Sequence, residues 1–82
     1  MQMLSMSALL LYIYKRNCEK EHPTAIPMSD FCAEFPSATR EAIEEELNNL
    51  RKDDLMRNKT SVIYDLTEAG LEEVERLMTF AK

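Results

Sequence analysis

The 82-residue chain fits one small domain with no room for a second, and 45% apolar and 30% charged residues exclude a disordered polypeptide. Ten Lys and Arg against fifteen Asp and Glu give a net charge of −5, which excludes a polybasic protein held to its partner by a broad positive field. A locally basic edge remains compatible with that balance.

Residues 3–21 read as a helix. Met3, Met6, Leu10, Ile13 and Asn17 repeat at spacings of three and four. Leu9, Leu11, Tyr12 and Tyr14 widen that stripe to nearly the whole circumference. A helix apolar all round must be covered on more than one side, and so short a chain offers little to cover it. A second copy is therefore expected on this helix. Lys15 and Arg16 end the apolar run well short of the roughly 20 residues of a membrane span. No positive charge precedes it and no small-residue cleavage site follows, so neither a signal peptide nor membrane association is expected, and a cytoplasmic protein is.

Pro23, Pro27 and Pro36 punctuate the next stretch, with a brief extended piece expected over residues 24–26. Ser29 is the expected N-cap of a short helix over 30–35 that buries Phe31, Cys32 and Phe35. Ser37 is the expected N-cap of a longer helix from Ala38 to about Asp53, whose core stripe is Ile43, Leu47 and Leu50. Asp53 and Asp54 end it where a glycine is common. The period then drops to two. Residues 55–58 and 62–66 read as strands joined by the polar loop Lys59, Thr60, Ser61. Thr67 is expected to cap a last helix, with Leu71, Val74, Met78 and Ala81 as its stripe and Leu77 and Phe80 alongside.

The fold class is thus mainly α with a small β-hairpin, α+β, in the order helix, short strand, helix, helix, hairpin, helix. Two helices joined by a tight turn and followed by a hairpin constitute a winged helix-turn-helix. The expected divisions of the single domain 1–82 are an N-terminal helix over 1–21, a helix-turn-helix over 29–54, a wing over 55–66 and a C-terminal helix over 67–82.

Two motifs carry a resemblance. Leu47-Asn-Asn-Leu50-Arg-Lys-Asp-Asp-Leu55-Met-Arg resembles the end of a recognition helix running into the first wing strand. Tyr64-Asp-Leu66-Thr67-Glu-Ala-Gly70-Leu71 resembles the run from the second wing strand into the following helix. Over roughly residues 24–75 the chain is similar to small winged helix-turn-helix transcription regulators of the broad MarR/PadR/ArsR-like class. That resemblance implies sequence-specific DNA binding as a dimer. The chain departs from the pattern at Asp54, where such proteins usually carry glycine, and in the acidic load of Glu41, Glu44, Glu45 and Glu46.

Five cations (Arg40, Arg51, Lys52, Arg57 and Lys59) and six acids fall between residues 40 and 59. The start of a recognition helix enters the major groove, which nominates Ser37, Thr39, Arg40, Glu41 and Glu44, with Asn48 one turn on and Lys52 near the end. Arg40 is the expected base reader, unless it serves only as an i,i+4 partner of Glu44. Arg57, Lys59 and Thr60 are the expected backbone contacts of the wing. The expected partners are an inverted-repeat duplex and a second copy, joined through Met3, Met6, Leu10, Ile13, Tyr14, Val74, Leu77 and Met78. The alternative is a winged-helix interaction module whose acidic helix docks a protein and binds no DNA.

Cys18 and Cys32 are too few for a disulfide scaffold and read as reduced, small buried hydrophobes, with His22 as a surface imidazole. These three do not make up the four ligands of a structural zinc site, so no metal or cofactor is expected. No phosphate-binding glycine loop and no nucleophile–base spacing is present, and no enzymatic activity is expected.

Overall fold

A computed structural model describes residues 3–19, 25–60 and 62–80. Four helices and one hairpin follow in the order α1 (Met6–Glu19), α2 (Met28–Glu34), α3 (Arg40–Lys52), β1 (Met56–Asn58), β2 (Tyr64–Leu66) and α4 (Glu68–Phe80). His22 and Thr24 lie outside the described residues.

α1 starts three residues later than the apolar stripe suggested, because the Ser5 hydroxyl accepts from the Ala8 amide at 3.0 Å and caps it. Its all-round apolarity has an internal cause. The helix is central, packing against α3, α4 and β2, and Leu9, Leu10 and Ile13 are fully buried by the chain itself. Phe31 meets Tyr12 and Tyr64 edge-on, at ring-centre distances of 5.6 and 5.5 Å, which ties α1, α2 and β2 into one aromatic cluster. Arg16 reinforces the α1–α2 contact. Its guanidinium donates to the Tyr12 hydroxyl at 2.7 Å and pairs with Asp30 at 2.9 Å.

Two expected caps move. α2 begins at Met28 behind an extended Pro27 (φ −68°, ψ 158°) that fixes its own φ, so Ser29 lies inside the helix and caps nothing. α3 is capped by Thr39, whose hydroxyl accepts from the Ala42 amide at 3.1 Å. Ser37 instead belongs to the turn, which closes where the Ala38 amide donates to the Phe35 carbonyl at 3.0 Å. Phe35 is fully buried, and anchoring it holds the chain in a turn for the residues after it.

The end of α3 is a Schellman turn. The Leu55 amide donates to the Leu50 carbonyl at 3.0 Å and the Asp54 amide to the Arg51 carbonyl at 3.1 Å. That geometry demands a left-handed residue, and Asp54 supplies it at φ 58°. The chain then enters an antiparallel hairpin in the register Met56↔Leu66, Arg57↔Asp65, Asn58↔Tyr64. Its strands are shorter than expected: Leu55 is taken up by the Schellman turn, and Val62, 38% exposed, belongs to the loop end. The expected extended piece adds to the hairpin, with Ala25 bridging Ile63 antiparallel and the Ile26 amide donating to the Val62 carbonyl at 2.7 Å. Thr67 caps α4 as expected, its hydroxyl accepting from the Gly70 amide at 3.0 Å. No described helix is long and apolar enough to cross a membrane.

Candidate nucleic-acid interface

α3 turns Ile43, Leu47 and Leu50 into the core. Glu41, Glu45 and Lys52, at spacings of four and seven, share the opposite, exposed face. Between these faces a third row, Arg40, Glu44, Asn48 and Arg51, lines an open groove of about 520 Å³ between α3 and the hairpin. Asn58, Val62 and Tyr64 form the hairpin wall, and Pro27, Met28 and Leu47 complete the lining.

The groove is ordered by a side-chain network. Arg51 donates from one terminal nitrogen to the Asn48 amide oxygen on its own helix and from the other to the Asn58 amide oxygen on β1. The Asn58 amide nitrogen donates to the Thr60 carbonyl at 3.1 Å, and Asn58 is also hydrogen-bonded to the Tyr64 hydroxyl. Burial pushes the Tyr64 phenol above its ordinary value, against the opposing pull of the Arg51 charge and the Asn58 bond.

Of the sequence-nominated residues, the groove brings together Arg40, Glu44 and Asn48. Glu41 and Lys52 stand on the outer face of α3. Ser37 is exposed in the turn ahead of the helix, and the Thr39 hydroxyl is engaged as its cap. The Thr60 hydroxyl accepts from the Val62 and Ile63 amides at 3.3 and 3.1 Å and so shapes the loop. Three of the four nominated cations face a carboxylate: Arg40 and Glu44 at 3.8 Å, Arg57 and Asp54 at 3.9 Å, Lys59 and Asp65 at 4.0 Å. All three pairs are exposed and long, each worth about 0–1 kcal/mol. Strand pairing and the Schellman turn bring Asp65 and Asp54 to the hairpin's cations.

Arg51 and Asn58 were not nominated. Two signals point to them: Arg51 continues the 40-44-48 row one turn further, and Asn58 lies two residues from the buried Met56, on the same face of β1.

The nominated dimer surface divides. Leu10, Ile13 and Val74 are at most 1% exposed and belong to the chain's own core, so they are unavailable to a partner. Met6, Tyr14 and Leu77 are half-buried, while Met3 and Met78 are 81% and 49% exposed. The apolar surface that remains lies along the α1–α4 seam, where Leu11, Tyr14, Cys18 and Met78 line one shallow depression and Leu66 and Leu71 another. The cysteines also depart from expectation, Cys18 being exposed and Cys32 half-buried. Cys18 hydrogen-bonds the Tyr14 hydroxyl and raises its pKa. Among the described residues no three His, Cys, Asp or Glu side chains gather as metal ligands would.

No family model, curated protein or solved structure matches the chain.

Proposed function

We propose that this chain is a winged helix-turn-helix regulator that binds duplex DNA as a homodimer, with α3 in the major groove and the hairpin against the adjacent backbone. The observation that carries this reading is the placement of the hairpin. It leaves α3 through the Asp54 turn, is held to the segment before α2 by the Ala25–Ile63 bridge, and stands beside α3 with a polar groove between them. A helix of α3's width fits a major groove about 12 Å wide, and a groove beside it leaves room for the phosphodiester strand that borders the major groove.

Base reading falls to the groove-lining row of α3, from Arg40 through Glu44 to Asn48. Arg40 exchanges its weak pairing with Glu44 for guanine, and the freed Glu44 accepts from cytosine. The α1–α4 seam, with Leu11, Tyr14, Leu71 and Met78, is the surface that joins the two copies. Two-fold symmetry then sets half-sites about one helical turn apart.

One observation favours a second reading. The outermost face of α3 sets Glu41 and Glu45 against Lys52 alone, a charge balance that suits a basic protein surface better than phosphates. A titration with the duplex flanking the chain's own gene, over a range of salt concentrations, separates the two. The regulator reading expects binding that weakens steeply with salt. No binding at low salt, together with binding created by Glu41→Lys or Glu45→Lys, would overturn it in favour of the protein-docking face.

A further inference from the structure

We infer that the groove between α3 and the hairpin seats a phosphodiester strand, with Arg51 as its principal phosphate ligand. This rests on the DNA-binding reading and assigns the backbone contact within it.

The argument is one of charge compensation. Arg40, Arg57 and Lys59 each stand opposite a carboxylate, so each must give up an ion pair before it meets a phosphate. Arg51 is different. Among the described residues both of its side-chain partners are carboxamide oxygens, from Asn48 and Asn58, and neither carries charge. These bonds orient the guanidinium without neutralising it. A guanidinium has five N–H groups in a fixed fork. One on each terminal nitrogen is used by the asparagines, which leaves Nε–H and the second N–H of each terminal nitrogen for an incoming anion. Pairs of N–H groups on one planar fork are the geometry that grips phosphate oxygens bidentately.

Position agrees with chemistry. Arg51 lines the groove at the junction of the last turn of α3 with β1, so an anion held there touches helix and hairpin at once. Glu44, the groove's one carboxylate among the described residues, lies seven residues earlier on the helix, about 10 Å along its axis, beside Arg40. The strand therefore runs at the Arg51–Asn58 end of the groove and away from Glu44.

The test compares wild type, Arg51→Ala, Arg51→Lys and Asn58→Asp by fluorescence anisotropy on a mixed-sequence duplex of about three helical turns, across a salt series. Arg51→Ala is expected to lower the log–log salt slope by about one unit per protomer, about two for the homodimer, which at 0.1 M salt is about a hundredfold in affinity. Arg51→Lys keeps the charge but not the fork, and is expected to keep the slope while losing affinity. Asn58→Asp adds the carboxylate that Arg51 lacks and is expected to reproduce the alanine result without removing the arginine, which covers the case in which Arg51→Ala does not fold. Wild-type slope in both Arg51→Ala and Asn58→Asp would overturn the assignment and leave the DNA reading standing. A wild type that binds no duplex at low salt would overturn both.

Discussion

A β-carbon on Gly70 would lie 2.0 Å from the carbonyl oxygen of Leu55. The first turn of α4 and the root of the hairpin therefore touch backbone to backbone, with no room for a methyl group. The same carbonyl accepts from the Thr67 amide at 3.2 Å, so the contact also fixes where α4 begins. Gly70→Ala gains up to about 1 kcal/mol of helix propensity but must push α4 off the hairpin, a strain of about 1–3 kcal/mol or more. The expected outcome is net destabilisation with a disturbed hairpin, measured as a lower urea midpoint at unchanged m-value.

Asp54 gives the opposite prediction. Its left-handed backbone is one that glycine adopts without strain, and its carboxylate faces the hairpin's Arg57. Asp54→Gly is expected to stabilise the fold by about 0.5–1 kcal/mol, since the relief of strain exceeds the added unfolded-state freedom. It also releases Arg57, so duplex affinity should rise. Asp54→Val, which cannot adopt this conformation cheaply, should cost more than 1 kcal/mol, on the order of the left-handed penalty for a branched side chain. Equal stabilities for the two variants would show that the turn carries no strain.

The elements of this fold are legible in the sequence because each is set by a local rule. The spacing of Ile43, Leu47 and Leu50 specifies α3, the alternation around Tyr64 specifies β2, and Thr67 marks the start of α4. The caps differ from Ser29 and Ser37 because a second capping residue, Thr39, stands two positions after Ser37, while α2 takes its start from a proline. Tertiary anchoring of Phe35 decided between Ser37 and Thr39, and no local pattern encodes that. The burial of Leu10, Ile13 and Val74 was misassigned to a partner for a similar reason. Periodicity reveals that a face is apolar, not whether its own chain or another copy covers it. The Arg51 network joins residues seven apart through the Schellman turn, and that geometry appears only once the turn is built.

Burial gives two tyrosines a role in alkaline stability. It pushes the phenols of Tyr12 and Tyr64 above the ordinary value of about 10, and in both it outweighs the opposing effect of a neighbouring arginine. The folded chain then keeps protons that the unfolded chain releases, so this contribution is complete below about pH 10 and is lost as pH rises through the folded values. Urea denaturation at about pH 9 and about pH 11 should show a fall in stability that is smaller in Tyr12→Phe and Tyr64→Phe. A fall of the same size in both variants would place its cause elsewhere.

The α1–α4 seam makes a prediction about assembly. Leu71 is 46% and Met78 49% exposed, at the rim of the α4 stripe whose Val74 is buried. Met78→Lys and Leu71→Lys should leave the fold intact, since neither side chain contributes to the buried core, and should convert a homodimer to a monomer in sedimentation velocity at tens of micromolar, roughly the range in which a modest dimer persists. A wild type that sediments as a monomer at that concentration contradicts the dimer. Leu10→Ala, by contrast, should cost about 2–5 kcal/mol of folding stability, because that residue lies in the monomer's core.

The most direct measurement of the central claim is a titration of isotopically labelled protein with duplex DNA at low salt, followed residue by residue through backbone amide shifts. The account predicts that the perturbed amides lie in α3 and the hairpin, including Arg51 and Asn58 on the two walls of the groove, and that α1 and the outer face of α4 stay unchanged. Perturbations confined to the α1–α4 seam, or none at all while the protein remains folded, would contradict it.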